Sequence, residues 1–259
     1  MRLDEYLFKN KYFDSRTKAV QSIKRGEIYV NGVLISKPSF FIDESKDNEI
    51  KKETLSEFEF VSLGGYKLSK AIDNFNLSVK GLVCLDVGAS TGGFTDCLIK
   101  NGAEKVFAVD INDTLLHQSL KNNSKVISII KNAKELNSQD FDCSIDFLCA
   151  DLSFISVTAV LEVFYNVLST GKQAVLLIKP QFENDKRIKF KNGIVKDDKK
   201  RKDVCRKIYD YAIVSGFSVK NLTVAPIQKD KNVEYLILLE KNDKKSVDFE
   251  ILFNKTHNF

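Results

Sequence analysis

Charged residues stand where apolar strands should simply end. Along the 259 residues, Asp86 closes the run Leu82 to Asp86 and Asp110 closes Lys105 to Asp110; Asp151 follows Ile145 to Ala150, and Lys179 follows Ala174 to Ile178. Open α/β sheets bind ligands outside the carboxyl ends of their parallel strands, so charges at those points suggest chemistry rather than solvation. Lys179 is the most telling. Taking an ammonium out of water costs several kcal/mol unless partners compensate, so it implies either a shifted pKa with a task or a buried ion pair.

Asp86 leads into Val87-Gly88-Ala89-Ser90-Thr91-Gly92-Gly93 and a helical pattern from Phe94, and Asp110 comes 22 positions after Gly88. A glycine-rich turn into a helix, with an acidic residue at that distance, suits a nucleotide-like cofactor: amides face the ligand and the carboxylate accepts ribose hydroxyls. Glycines at 88, 92 and 93 do not spell GxGxxG, which weakens a dinucleotide assignment. Read alone, a turn that needs glycine only for close packing is the competing explanation. The segment resembles the first motif of S-adenosylmethionine-dependent methyltransferases. That resemblance implies S-adenosylmethionine as cofactor, held by Asp86, Gly88, Ala89, Ser90, Thr91, Gly92, Gly93, Asp110 and Ile111, with Asn132 at its adenine.

Within such an enzyme, Asp151-Leu152-Ser153-Phe154 lacks the Asn/Asp-Pro-Pro-aromatic sequence used to hold an exocyclic amine, and Cys149 is not in a Pro-Cys dipeptide suited to attack on a pyrimidine. A hydroxyl acceptor remains. A ribose hydroxyl is a weak acid that must lose its proton as it attacks, and a desolvated lysine can assist as general base. Glu234 opens the apolar run Tyr235 to Leu239 and reaches the same edge if that strand is antiparallel. Lys67 could arrive from the helix before the first strand. Lys67, Asp151, Lys179 and Glu234 then pair two cations with two anions, a set that could hold one lysine neutral while the other stays charged. A structural ion-pair network is the alternative. The Lys-Asp-Lys-Glu order resembles that of ribose 2′-O-methyltransferases, with Lys179 the favoured base, Asp151 and Glu234 tuning the lysines, and Lys67 positioning the ribose.

The elements that must place these groups alternate. Apolar runs at Leu82–Asp86, Lys105–Asp110, Val126–Ile130, Ile145–Ala150 and Ala174–Ile178 are separated by helical patterns from Phe94, Thr114 and Val157. A helix over Val204–Ser215 and strands at Ser218–Val224 and Tyr235–Leu239 follow. This is an α/β fold with a Rossmann-like, mostly parallel sheet whose last strand is antiparallel. Ahead of it lies a small α+β module. Leu3, Tyr6 and Leu7 have helical spacing, Ser15 is an N-cap candidate for a helix ended by Gly26, and two apolar runs flank Asn31-Gly32, a strong hairpin signal. The polar stretch from 43 to 60 predicts a last edge strand and linker, dividing the chain into 1–58 and 59–259.

Composition narrows the function. No run approaches the ~18 apolar residues of a membrane helix, and the start lacks a signal-peptide layout, which predicts a cytoplasmic protein without membrane partners. Five cysteines without a CxxC predict reduced thiols, and two histidines without ligand spacing predict no metal site. The net charge of +5 does not by itself mark a nucleic-acid binder, but residues 184–207 hold 11 Lys or Arg against four Asp, a net +7. Lys186, Arg187, Lys189 and Lys191 are the candidates for RNA phosphates there. In the first 50 residues, Arg2-Leu3-Asp4, Ser15-Arg16, Ala19, Ile23, Gly26, Val30-Asn31-Gly32 and Lys37-Pro38 resemble the S4 family of RNA-binding domains. By that likeness Arg2, Arg16, Lys18, Lys24, Arg25 and Lys37 are expected at RNA.

The chain as a whole resembles the TlyA family of ribosomal RNA 2′-O-methyltransferases, long also labelled hemolysins. The residues that carry this are Val61-Ser62 with Gly64-Gly65, Lys67-Leu68 and Lys70-Ala71; Leu85 to Asp96; Asp151 with Ser153-Phe154-Ile155; Lys179-Pro180-Gln181-Phe182-Glu183; Gly193 and Val195; and Asn232 to Tyr235. Leu63 stands where the family usually has arginine, and Asp110 to Leu115 replaces a glycine-containing turn. The resemblance implies an FtsJ-like domain that methylates cytidine 2′-hydroxyls in large-subunit ribosomal RNA, with some members also modifying the small subunit, and an effect on sensitivity to capreomycin-type antibiotics. Ribosomal RNA or ribosomal subunits are the expected partners. Two rivals are a ribosome assembly factor that binds RNA without turnover and a membrane-lytic hemolysin.

Overall fold

Asn31 and Gly32 have φ of 50° and 74°, so both centres of the two-residue turn are left-handed, as a type I′ hairpin requires. The turn joins β1 (Ile28–Val30) to β2 (Val33–Leu34), and β3 (Ile50–Lys52) pairs antiparallel with the other side of β1. The computed structural model describes residues 1–52, 60–183, 193–227, 231–241 and 245–256, without the Arg25 side chain. Helix α1 (Leu3–Lys9) and helix α2 (Arg16–Arg25) precede the hairpin. Ser15 caps α2 by accepting from the Lys18 amide, and Gly26 at φ 78° ends it. Leu3, Leu7, Ala19, Ile23, Ile28, Val30, Ile35 and Ile42 form the core of this unit, which spans Met1–Leu63.

The second unit, Gly64–Phe259, holds a seven-stranded sheet. Its strands are β4 (Val83–Val87), β5 (Lys105–Asp110), β6 (Val126–Ile130), β7 (Ile145–Ala150), β8 (Leu168–Ile178), β9 (Phe217–Val224) and β10 (Tyr235–Lys241), in the order β6-β5-β4-β7-β8-β10-β9. Only β10 runs against its neighbours, β8 and β9. The segments 174–178 and 235–239 are wholly buried, the continuous apolar run expected of central strands. Helices α3 (Gly64–Phe75), α4 (Gly93–Lys100), α5 (Gln118–Lys121), α6 (Leu161–Val167), α7 (Pro180–Glu183), α8 (Asp198–Val214) and α9 (Phe249–Lys255) complete it.

Several boundaries depart from the sequence expectation. The helix expected from Thr114 shrinks to the four residues of α5, because Asn112 Oδ1 accepts from the Thr114 amide at 2.8 Å and spends that backbone in a turn. A 3-10 turn over Val157–Ala159 precedes α6, and β8 begins at Leu168 rather than Ala174. Leu168 pairs with Ile145 and Gln173 with Phe147, and the register shifts across the polar residues between them, so no apolar run marks this part of the strand. Asp197 caps α8 two turns ahead of Val204 by accepting from the Lys199 and Lys200 amides. Helix α9, absent from the sequence expectation, is capped by Asp248 and buries Phe249, Leu252 and Phe253.

Candidate active site at the carboxyl edge of the sheet

The glycine-rich loop is fixed by its neighbours. Gly88 has φ of 86°, and a Cβ on it would meet the Asp151 carbonyl oxygen at 2.7 Å, so glycine alone fits. The amides of Gly88 and Ala89 donate to Val109 O at 2.8 and 3.1 Å, tying the loop to β5. Asp110 ends β5; its Oδ2 accepts from the Ser90 amide at 2.8 Å and its Oδ1 from the Ile111 amide at 2.7 Å. Ile111 is 72% exposed beside it. Gly92 caps α4 at φ 90° with Gly93 as the first helical residue, and Thr91 O accepts from the His117 amide. Asn132 lies just beyond β6, exposed, with Oδ1 accepting from the Lys134 amide.

Asp86 differs from the expectation in one respect: it is the penultimate residue of β4 rather than its last, and it is fully buried. Thr95 Oγ1 donates to its Oδ2 at 2.6 Å, while Oδ1 has no hydrogen-bond partner in the protein. Burial pushes this carboxyl up to about 7, against the pull of the Thr95 hydroxyl. The nearby thiol of Cys84 is likewise pushed up by burial, to about 12, and is an inert apolar filler.

Lys67, Asp151, Lys179 and Glu234 converge. Lys67, on α3, donates to Glu234 Oε2 at 2.7 Å and stands 3.8 Å from Asp151 Oδ2. Lys179 Nζ forms an ion pair with Asp151 Oδ1 and donates to Ser153 Oγ at 3.0 Å. Gln181 Nε2 reaches Glu234 Oε1 at 3.4 Å. The charges therefore form one chain, Lys179 to Asp151 to Lys67 to Glu234. Burial alone would push Lys67 down, but the charges of Asp151 and Glu234 outweigh it and the net shift is upward. Lys67 is thus held as an ammonium.

Two residues that entered the sequence analysis only as part of the family likeness, without a role, complete the site. Phe154 has φ of 66° and is 86% exposed; its ring lies 5.0 Å from that of Phe182, which in turn sits 5.9 Å from Lys179 Nζ. A left-handed aromatic residue left in solvent is strain that packing does not explain. Glu183 is buried; it accepts from Ser156 Oγ and from the Val157 amide at 2.7 Å, and its carbonyl accepts from Lys207 Nζ at 3.1 Å. It clamps the loop that carries Asp151, Ser153 and Phe154 to the turn after Lys179. Neither role was legible, since the type of a residue shows neither its exposure nor its φ.

Of the expected RNA contacts, Arg2, Arg16, Lys18, Lys24 and Lys37 are exposed on the first unit. Lys186, Arg187, Lys189 and Lys191 lie outside the described residues, as does the Arg25 side chain. The basic run beyond them is less available than its charge suggests: Arg201 pairs with Asp198 and donates to Val195 O, and Lys202 and Arg206 both pair with Glu250. Among the described residues no cluster of His, Cys, Asp and Glu could hold a metal ion, and no helix is long and apolar enough to cross a membrane.

Residues 60–241 match the FtsJ-like methyltransferase family, and residues 1–47 match the S4 domain. Fold and site together define a Rossmann-like methyltransferase with a small added module. Hemolysin A of Brachyspira hyodysenteriae is 40% identical over 239 residues, 91% of this chain and 98% of that protein. The 16S/23S rRNA (cytidine-2′-O)-methyltransferase TlyA of Mycobacterium tuberculosis is 31% identical over 99% of this chain and 96% of its own length. A solved structure from Streptococcus thermophilus that carries the hemolysin name is 35% identical and superposes with a TM-score of 0.75, covering 100% of this chain and 96% of that one. The chain belongs to the TlyA family of FtsJ-like methyltransferases.

Proposed function

We propose that this protein methylates the 2′-hydroxyl of a cytidine ribose in large-subunit ribosomal RNA, with S-adenosylmethionine as donor. The carrying observation is the chain of alternating charges from Lys179 to Glu234 beside the loop that opens at Gly88. When bound, the cofactor supplies a methyl group made electrophilic by its sulfonium. The residues fit a nucleoside carrying that group: the bare Cα of Gly88 leaves room for close approach, each Asp110 oxygen retains accepting capacity, and Ile111 offers an exposed apolar face. Ala89, Ser90, Thr91, Gly92 and Gly93 line the same turn, Asp86 supports it from below, and Asn132 is assigned to the adenine.

Lys67 cannot serve as base while two carboxylates hold it charged; it donates to ribose oxygens and stabilises negative charge as the hydroxyl ionises. Lys179, whose Nζ is fixed by Asp151 and Ser153, is the assigned base: it must first release its own ammonium proton to solvent, and then takes the proton of the hydroxyl as the methyl group leaves the sulfonium. Phe154 and Phe182 present a ring face suited to stacking the target base. Residues 1–58 bind the RNA through their exposed arginines and lysines, with Lys186, Arg187, Lys189 and Lys191 as further phosphate contacts to the 59–259 domain. Such an enzyme works in the cytoplasm on ribosomal subunits and affects sensitivity to capreomycin-type antibiotics.

Replacing Lys179 by alanine should abolish tritium transfer from labelled S-adenosylmethionine to ribosomal RNA, with cofactor affinity retained by calorimetry. Transfer near the wild-type rate would show that Lys179 is not the base. Mapping the labelled nucleotide tests the choice of cytidine and subunit.

A further inference from the structure

Arg2 and Arg16 meet at one buried carboxylate. Asp4, 2% exposed, accepts from Arg2 Nε at 2.9 Å through Oδ1, and from Arg2 Nη2 at 3.1 Å and Arg16 Nε at 2.9 Å through Oδ2. The arginine side chains remain 44% and 47% exposed. Burial would push the Asp4 carboxyl up, but its bonds to the two guanidiniums outweigh that and hold it below its ordinary value, so it stays an anion. Asp4 thus gives up one charge of attraction for RNA. In return two rotamer-rich side chains are ordered before the RNA arrives, and that ordering is otherwise lost from affinity.

An aromatic ring stands beside this pair. Residues 37–42 run along the start of α1: Leu3 N donates to Phe40 O at 2.7 Å, Asp4 N to Pro38 O at 3.1 Å, and Ile42 N to Met1 O at 2.9 Å. Arg2 and Phe41 are partners across an antiparallel bridge. Directly paired residues project from the same face with Cβ atoms about 5 Å apart, so Phe41 flanks Arg2. It is 77% exposed. A ring left in water next to two fixed cations matches the two halves of a nucleotide, an apolar base face and an anionic phosphate.

We propose that Arg2, Arg16 and Phe41 hold one unpaired nucleotide of the RNA, phosphate on the guanidiniums and base on the ring, with Asp4 as their positioning residue. The proposal rests on the reading of the first unit as RNA-binding and sharpens it. A base within a duplex is stacked on both faces and has none to offer, so the clamp selects a loop or bulge over a continuous helix.

The test measures binding of the full-length protein to a short RNA stem-loop and to a fully paired duplex of equal length. Arg2→Ala with Arg16→Ala should weaken both; if neither weakens, the RNA-binding reading of this unit fails, independently of the clamp. Phe41→Ala, an exposed change that leaves the core intact, should weaken the stem-loop roughly tenfold and spare the duplex. An equal effect on both probes, or none, overturns the stacking assignment. Asp4→Asn should weaken stem-loop binding roughly tenfold although it makes the surface more positive, should flatten the salt dependence, and should cost nothing further in the double-arginine background. Binding as tight as wild type, or the same loss with both arginines absent, overturns the positioning role.

Discussion

Asp86 provides a test of how this site is held together. Its carboxyl ordinarily titrates at 3.8 and is raised to about 7 in the folded protein, chiefly because burial penalises the charge. Between those values the folded chain keeps a proton that the unfolded chain has released, so stability is fully present below pH 4 and is lost as pH rises through 7. At 1.36 kcal/mol per pH unit the loss reaches about 4 kcal/mol by pH 8. Asp86→Asn removes the titration while keeping an acceptor for Thr95 Oγ1. It also places an amide N–H where Oδ1 now has no protein partner, which costs about 1–3 kcal/mol at every pH. The variant should therefore be the less stable protein at pH 4, where the wild type has lost almost none of this contribution, and equal or exceed the wild type at pH 8. Denaturant unfolding across that range, followed by circular dichroism because the chain has no tryptophan, reads the difference. The constant penalty cancels in the slope. Parallel pH dependences for the two proteins would refute the claim that Asp86 carries a desolvated charge.

Two further changes probe the loops around the charged set. Gly88→Ala brings a Cβ to 2.7 Å from Asp151 O, where ordinary contact needs 3.4 Å, so Asp151 must retreat by about 0.7 Å. With roughly 1–2 kcal/mol of left-handed strain added, methyl transfer should fall roughly tenfold to a hundredfold, measured as kcat in a variant checked for folding. Glu183→Ala leaves the buried Val157 amide unpaired at about 1–3 kcal/mol, which for a unit of this size lowers Tm by several degrees. Calorimetry should find cofactor affinity intact while kcat drops, and Glu183→Gln, which keeps an acceptor for Val157, should restore most of it.

Much of the sheet was legible because its strands are buried. Continuous apolar runs marked the buried β4, β5, β7 and β10 and the half-exposed edge strand β6 within a residue or two, and Asn31-Gly32 announced its hairpin through the one backbone conformation that suits both residues. The charges at strand ends were legible for the same reason: a lysine after Ala174 to Ile178 contradicts its surroundings, and contradiction is visible in a sequence. What escaped lacked such contrast. Residues 169–173 of β8 cross a register shift and are polar, and the first turns of α8 are polar and set by an aspartate cap, so no apolar run marked either. Phe154 looks like any core phenylalanine until its exposure and positive φ are seen, and the full burial of Asp86, one residue short of the end of β4, is not written in its type.

The geometry of the charged set follows from strand register. Val87 pairs with Ala150, so Gly88 and Asp151 are the next residues out on adjacent strands, which is why a Cβ at 88 would strike the Asp151 carbonyl. Tyr235 pairs with Ile178 across the antiparallel ladder, so Glu234 and Lys179 stand at the next level of that pair. Residues more than 50 positions apart in sequence thus meet through two ladder registers, and Lys67 needs only to reach down from α3 into the gap between Asp151 and Glu234. A slip of one residue in β10 would turn Glu234 to the opposite face and leave Lys67 with a single carboxylate. The hydrophobic pattern that fixes the register, five buried residues facing five, is therefore also what gives Lys67 its second carboxylate and keeps it charged.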